Sequence, residues 1–325
     1  MELTYGSQAW FAVISLPIWK TLKNFTVLCP ILESKSKAVQ SKKDIQNDFV
    51  KTNRPEMDTI EQEAKGRVFM IDRFPVRMDP LNRLGWVDVY LPDDYFYSNK
   101  RYPVLYMFDG QNLFFDQQAT FGKSWGLKGF LDSCSDPCIV VGLECDPKDQ
   151  NRLHEYTPYP LAETFFGPTV GAGAVLMEWI VQVLKPMIDQ KLRTWPQREA
   201  TAIAGSSMGG LMAFFAVVRH NSVFSKAACL SPSLFICDEE ISREFETGRL
   251  DPDTRIYWSF GSKELSAPMR VEAEMLLAEY KWALERQGGI GKVAIVENGS
   301  HNEECWGRQN PDYYHFFWND PKDID

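Results

Sequence analysis

The sequence has few histidines and no long apolar run, and both shortages narrow the range of functions. Its four histidines never form the His-Glu-x-x-His pattern of a zinc protease. An apolar stretch at residues 9–19 is interrupted by Pro17 and is too short to span a bilayer. No positive charge precedes it, so it does not resemble a signal peptide. We therefore expect no membrane partner and a cytoplasmic location.

Basic clusters and a regular cysteine spacing are also missing. The chain has 35 Lys and Arg against 44 Asp and Glu, a net charge of -9, and no basic run, which argues against nucleic-acid binding. Its seven cysteines are odd in number and scattered, which favours reduced thiols over a disulfide framework. Cys134, Cys138 and Cys145 lie close together, but their spacing matches no zinc pattern. We expect no metal site, and the oligomeric state stays open.

The chain divides into two regions of different composition. Residues 1–65 include a polar stretch and predict an N-terminal extension that is poorly ordered or loosely attached. Residues 66–325 alternate short apolar runs with helical patterns, which predicts an α/β fold: a mostly parallel central sheet with helices on both faces. Ligands of such sheets bind at the carboxyl ends of the strands. The predicted strands are 85–91, 102–108, 138–143, 200–204, 226–230, 255–260 and 292–297.

One short motif carries the chemistry. A Gly-x-Ser-x-Gly sequence is centred on Ser207, between the apolar run 200–204 and an alanine- and phenylalanine-rich run 211–218. A strand, a sharp glycine-lined turn with a serine and then a helix make a nucleophile elbow. The helix start also provides free N–H groups and a positive dipole end for an oxyanion. Three fixed residues occur by chance, however, so the assignment needs partner residues.

The partners follow in the chain order serine, acid, histidine. His301 lies in a glycine-containing loop after the last predicted strand, where a base is needed, whereas His315 lies in an aromatic helix and suits a structural role. Glu264 follows the strand 255–260 and is the best candidate for the acid that orients His301. Asp238 and Glu239 are weaker candidates.

An oxyanion site is predicted from two segments. One N–H comes from Met208, the residue after the nucleophile. The second comes from the loop after the strand 102–108, where Gln111 is the first choice and Gly110 the next.

Several other residues near the predicted mouth are candidates for contacting substrate. For Arg152, Glu155 and Tyr156 we favour internal pairing over substrate contact, and Trp125 suits either a site wall or the core. The full set of substrate-binding candidates is Asp109, Asn112, Trp125, Arg152, Glu155 and Tyr156.

Together these segments resemble the esterase D / enterochelin-esterase-like esterase family, a branch of the α/β-hydrolase superfamily, over about residues 66–320. The resemblance implies hydrolysis of carboxylic esters without a cofactor, with Ser207 and His301 in the motif positions. It leaves the acid open, because some branches use a Ser–His dyad and this chain has Glu at the position. The matching segments are 89–92, 102–114, Trp125, 152–158, 185–189, 205–210, 230–233, 261–264 and 299–303.

We therefore predict a serine carboxylic-ester hydrolase acting on a small-molecule ester. An acyltransferase on the same scaffold is one alternative, which product analysis with an added alcohol separates. A non-catalytic hydrolase-like binding protein is the other; the Ser207 and His301 pair argues against it, and failure of a fluorophosphonate to label Ser207 would favour it. No feature of the sequence selects the ester.

Overall fold

A computed structural model of the chain describes residues 71–148, 151–162 and 167–318. The predicted N-terminal extension, residues 1–65, and its boundary with the folded region lie outside these residues. Within the described ranges, no helix is both long enough and apolar enough to cross a membrane.

The centre of the molecule is an eight-stranded sheet with the order β1-β2-β4-β3-β5-β6-β7-β8. Strand β2 runs antiparallel to both of its neighbours, and all pairings from β4 to β8 are parallel. The prediction of a mostly parallel sheet is therefore confirmed. The strands are β1 (Ile71–Met78), β2 (Arg83–Tyr90), β3 (Val104–Phe108), β4 (Ile139–Leu143), β5 (Thr201–Ser206), β6 (Lys226–Leu230), β7 (Arg255–Gly261) and β8 (Ile290–Val296).

Helices connect the parallel strands and follow the last one. The nine α-helices of the described residues are α1 (Leu127–Asp132), α2 (Asn151–Glu155), α3 (Gly173–Trp179), α4 (Lys185–Lys191), α5 (Met208–Arg219), α6 (Asp238–Thr247), α7 (Ala267–Arg286), α8 (Glu303–Gly307) and α9 (Asn310–Trp318). Helices α3 and α4 are joined by a π-helical segment, Ile180–Leu184.

Two apolar cores form because successive side chains of a strand point to opposite faces of the sheet. In β3, Tyr106 and Phe108 pack into one core, which also contains the apolar side of α5. Leu105 and Met107 of the same strand pack into the other core, with residues of α1 and α9. Helices therefore cover both faces of the sheet, as predicted.

The structure differs from the sequence prediction at two elements. Strand β1 was not predicted; it lies at the sheet edge, and Pro75 within it is compatible with an edge position. The apolar spacing of residues 171–192 predicts one helix that is kinked at Pro186. The structure has α3 and α4 there, and the π-helical segment between them ends at Leu184, two residues before Pro186. A proline lacks the N–H that an α-helical bond needs, and the wider turn accommodates it.

Candidate active site

Ser207 lies in a strained turn between β5 and α5. Its φ of 56° and ψ of -120° are unfavourable for a residue with a side chain. The turn is tight because a Cβ on Gly205 would lie 2.5 Å from the carbonyl oxygen of Gly209. The Ser207 N–H donates to the carbonyl of Leu230 at 2.9 Å, which ties the turn to the end of β6. The sequence therefore holds the Ser207 side chain at the carboxyl edge of the sheet.

The hydroxyl of Ser207 has a neighbour that the sequence did not indicate. Its Oγ lies 3.3 Å from the Oγ of Ser233, and the Ser233 N–H donates to the Ser207 carbonyl at 3.0 Å. Among the described residues, the hydrogen bond of this hydroxyl is with Ser233 and not with His301. The Ser207 side chain is half-buried, so a reactant can reach it.

His301 and Glu264 are in direct contact. Nδ1 of His301 lies 3.0 Å from Oε2 of Glu264, and the carboxylate side chain is only 2% exposed while the imidazole is 42% exposed. An ionised carboxylate can only accept, so Nδ1 carries the proton and donates it. The other ring nitrogen, Nε2, then keeps a lone pair that can accept a proton.

The second oxygen of Glu264 is held by two donors. The Ser231 hydroxyl donates to Oε1 at 2.7 Å, and the Gly261 N–H donates to the same oxygen at 2.8 Å. The indole N–H of Trp306 donates in turn to the Ser231 Oγ at 2.9 Å. The ring of Trp306 meets the imidazole of His301 edge-on, with centroids 5.0 Å apart. The buried charge of Glu264 is thus compensated by hydrogen bonds on both oxygens.

The weaker candidates for acid and base lie in other surroundings. Asp238 accepts hydrogen bonds from Ser242 and Tyr280, and burial raises the pKa of its carboxyl. Glu239 and His315 are exposed on helices α6 and α9. The structure therefore brings Glu264, and neither rival, into contact with His301.

The predicted oxyanion residues lie at the starts of two helices. Met208 is the first residue of α5, so its N–H has no partner inside the helix. Gly110 and Gln111 begin a short 3-10 helix after β3, entered through Asp109 at a φ of 58°. A Cβ on Gly110 would lie 2.6 Å from the carbonyl carbon of Gly142, so only glycine fits there.

Asp109 and Arg152 form an ion pair next to the elbow. Nε and Nη2 of Arg152 donate to the two carboxylate oxygens of Asp109 at 2.8 and 2.7 Å. A Cβ on Gly209 would lie 3.2 Å from Oδ2 of Asp109, which places the pair close to Ser207. Burial disfavours the charge of Arg152, but Asp109 outweighs it and raises the pKa of the guanidinium. One-third of the Arg152 side chain is exposed, whereas Asp109 is buried.

The other substrate-binding candidates have partners within the chain. Nε and Nη2 of Arg83 donate to the two carboxylate oxygens of Glu155 in a bidentate ion pair. The Tyr156 hydroxyl accepts the N–H of Asp109 at 3.2 Å. Asn112 accepts the N–H of Thr120, and Trp125 packs against Trp306 with centroids 6.2 Å apart. Because these side chains bind partners within the chain, they shape the site.

Four side chains of the site were given no role by sequence reasoning. Ser231 and Trp306 contact Glu264 directly or through one another, and Ser233 contacts Ser207. Glu303 is buried two residues after His301; burial raises the pKa of its carboxyl, Asp109 adds to the effect, and His301 and Arg152 oppose it. The only sequence signal for Ser231, Ser233 and Glu303 was their place in the motif segments 230–233 and 299–303, and Trp306 lies three residues beyond the second segment.

Comparisons with known proteins identify the family of this chain. A family model described as "Putative esterase" matches residues 80–314. The uncharacterized protein YbbA of Bacillus subtilis is 28% identical over 194 residues, covering 58% of this chain and 72% of that protein. An esterase of Mycobacterium tuberculosis is 30% identical over 152 residues, covering 45% of this chain and 29% of that protein.

A solved structure shows the same fold. The crystal structure of an IroE-like serine hydrolase from Shewanella oneidensis matches with a TM-score of 0.61 and 20% identity, covering 75% of this chain and 78% of that one. The predicted α/β-hydrolase fold is confirmed. The family model and the similar esterase support ester hydrolysis as the activity.

Proposed function

This chain belongs to the Esterase family, and from that premise we propose that it is a serine carboxylic-ester hydrolase that forms an acyl-enzyme on Ser207. His301 is the general base, and Glu264 holds the imidazole in the tautomer that can accept a proton. The observation that carries the proposal is the 3.0 Å contact between His301 Nδ1 and Glu264 Oε2. The strained turn of Ser207 is bound to Leu230, the residue before Ser231, which donates to Glu264.

In the first step the hydroxyl of Ser207 turns from Ser233 toward Nε2 of His301. The base takes the proton as Oγ attacks the ester carbonyl, and the negative charge on Glu264 stabilises the imidazolium that forms. The N–H groups of Met208 and Gln111 donate to the oxyanion, and Gly110 lets the backbone approach it.

In the second half of the reaction His301 returns the proton to the leaving alcohol. It then removes a proton from a water molecule, whose oxygen attacks the acyl carbonyl, and returns that proton to Ser207 Oγ as the bond from Oγ to the acyl carbon breaks and the acid leaves. These steps use only groups of the chain and water, so we propose no cofactor.

We propose that the substrate is a small-molecule ester that contacts the Asp109–Arg152 pair. Arg152 is the member that reaches solvent, and its guanidinium has a further nitrogen, Nη1, beyond the two that bind Asp109. A polar substituent near the ester would find a donor there. The cytoplasmic location stays a prediction from the sequence.

The direct test is Ser207→Ala with p-nitrophenyl acetate as substrate. We expect turnover to fall by roughly a million-fold, near the uncatalysed rate, because no nucleophile remains. The thermal midpoint of the variant serves as the control for folding. A folded variant that keeps most of its activity would remove Ser207 as the nucleophile.

A further inference from the structure

Ser231 occupies a buried position between three separate elements of the site. It directly follows β6, is 2% exposed, and lies in the left-handed region with a φ of 44°. Its N–H donates to the carbonyl of Ser259 in β7 at 2.7 Å. Glycine adopts this conformation freely, asparagine and aspartate adopt it at times, and other residues adopt it at a cost. A specific contact of the Ser231 side chain is therefore expected.

The contact that distinguishes serine from glycine is the hydroxyl. It donates to Glu264 Oε1 at 2.7 Å and accepts from the Trp306 indole at 2.9 Å. Because the indole N–H can only donate, it occupies the acceptor side of the Ser231 oxygen and directs the hydroxyl proton to Glu264. The three residues form a chain of hydrogen bonds in one direction, from Trp306 through Ser231 to the carboxylate.

We infer that Ser231 and Trp306 are positioning residues for the acid of the proposed triad; the inference rests on the proposed function. A glutamate side chain has one more rotatable bond than an aspartate, and its carboxylate must be fixed to keep Oε2 on His301. The Ser231 hydroxyl and the Gly261 N–H fix Oε1, and the indole of Trp306 borders the imidazole itself.

The test is Ser231→Gly and Ser231→Ala, both of which remove the hydroxyl. Glycine adopts the φ of 44° without strain, whereas alanine adopts it at a cost as serine does, so Ser231→Ala should be the less stable variant. We expect the same loss in kcat for both, about 10- to 100-fold, because a hydrogen bond to a charged group is lost. KM should stay near the wild-type value, because the buried Ser231 does not reach the substrate.

The pH profile separates positioning from a purely structural role. Without the Ser231 donor, Oε2 of Glu264 is no longer held against Nδ1, and the carboxylate stabilises the imidazolium less. The acid limb of kcat/KM should therefore move to lower pH in Ser231→Gly. Trp306→Phe keeps an aromatic ring beside His301 and removes the indole N–H with part of the ring, while the Ser231 hydroxyl stays, so it should give a smaller loss in kcat and a smaller shift.

Ser225→Ala is the matched control, because Ser225 is a fully buried serine that precedes the same strand at its opposite end. It should leave kcat and the pH profile unchanged. Rates are expressed per active site, titrated with a fluorophosphonate. A wild type that the reagent does not label would overturn the proposed function and this inference with it. A labelled wild type whose Ser231→Gly variant has the same kcat and acid limb would overturn the inference alone.

Discussion

Replacing Glu264 by glutamine tests the hydrogen-bond geometry of the site with a change of almost no volume. The Gly261 N–H donates to Oε1 at 2.8 Å and cannot accept, so the amide oxygen of the glutamine must occupy that position. The amide NH₂ group then faces Nδ1 of His301, 3.0 Å away in the wild type. Nδ1 becomes the acceptor, and the imidazole proton moves to Nε2.

This tautomer cannot serve as the base for Ser207. The change of a carboxylate to an amide in the serine protease triad lowers kcat by about 10⁴-fold for the same reason, which corresponds to about 5 kcal/mol in the barrier. We expect a loss of that size for Glu264→Gln. Glu264→Ala should lose about as much or less, because the imidazole is then free to choose its tautomer.

The assay is kcat/KM for p-nitrophenyl acetate, together with ¹⁵N NMR of the imidazole to identify the protonated nitrogen. Glu285→Gln is the control, since Glu285 pairs with Lys281 on the exposed face of α7. A Glu264→Gln variant within tenfold of the wild type would refute the role of Glu264. An inactive variant whose proton stays on Nδ1 would refute the tautomer argument.

Two further predictions concern other parts of the domain. Burial raises the pKa of Asp88 to about 6, so the folded state loses stability relative to the unfolded state as pH rises from about 4 to 6. The free energy of unfolding of Asp88→Asn, measured in urea, should equal that of the wild type near pH 4 and exceed it by about 3 kcal/mol at pH 8. A difference that does not change with pH would contradict this. Gly110→Ala places a Cβ 2.6 Å from the carbonyl carbon of Gly142. The clash should displace the loop that donates to the oxyanion and lower the steady-state kcat by about 10²- to 10³-fold. An unchanged kcat would exclude this loop as part of the oxyanion site.

The sequence predicted the central elements because their signals are local. The strands β3 to β7 are short and almost wholly buried, and each appears as a compact apolar run. Strand β1 gave no such signal. Its first four residues are all half-buried, so burial does not alternate along them, and the strand contains charged residues and Pro75. A strand that buries few of its side chains shows neither an apolar run nor a clear alternation.

The residues of the site that belong to local sequence motifs were predictable. Ser207 and its surrounding glycines form a single contiguous pattern, and Glu264 and His301 follow from the order of the chain. The role of Ser231 depends on contacts with residues 33 and 75 positions away, and no local pattern encodes them. Likewise, the burial of Glu155 and Trp125 depends on partners, Arg83 and Trp306, that only the folded chain brings close.

Covalent labelling tests the proposed mechanism most directly. The native protein is incubated with a fluorophosphonate, its intact mass is measured, and the modified residue is located by peptide mapping. The mechanism predicts one adduct per chain, on Ser207, with much slower labelling in His301→Ala and none in Ser207→Ala. An unmodified wild type, or an adduct on a different residue, would contradict it.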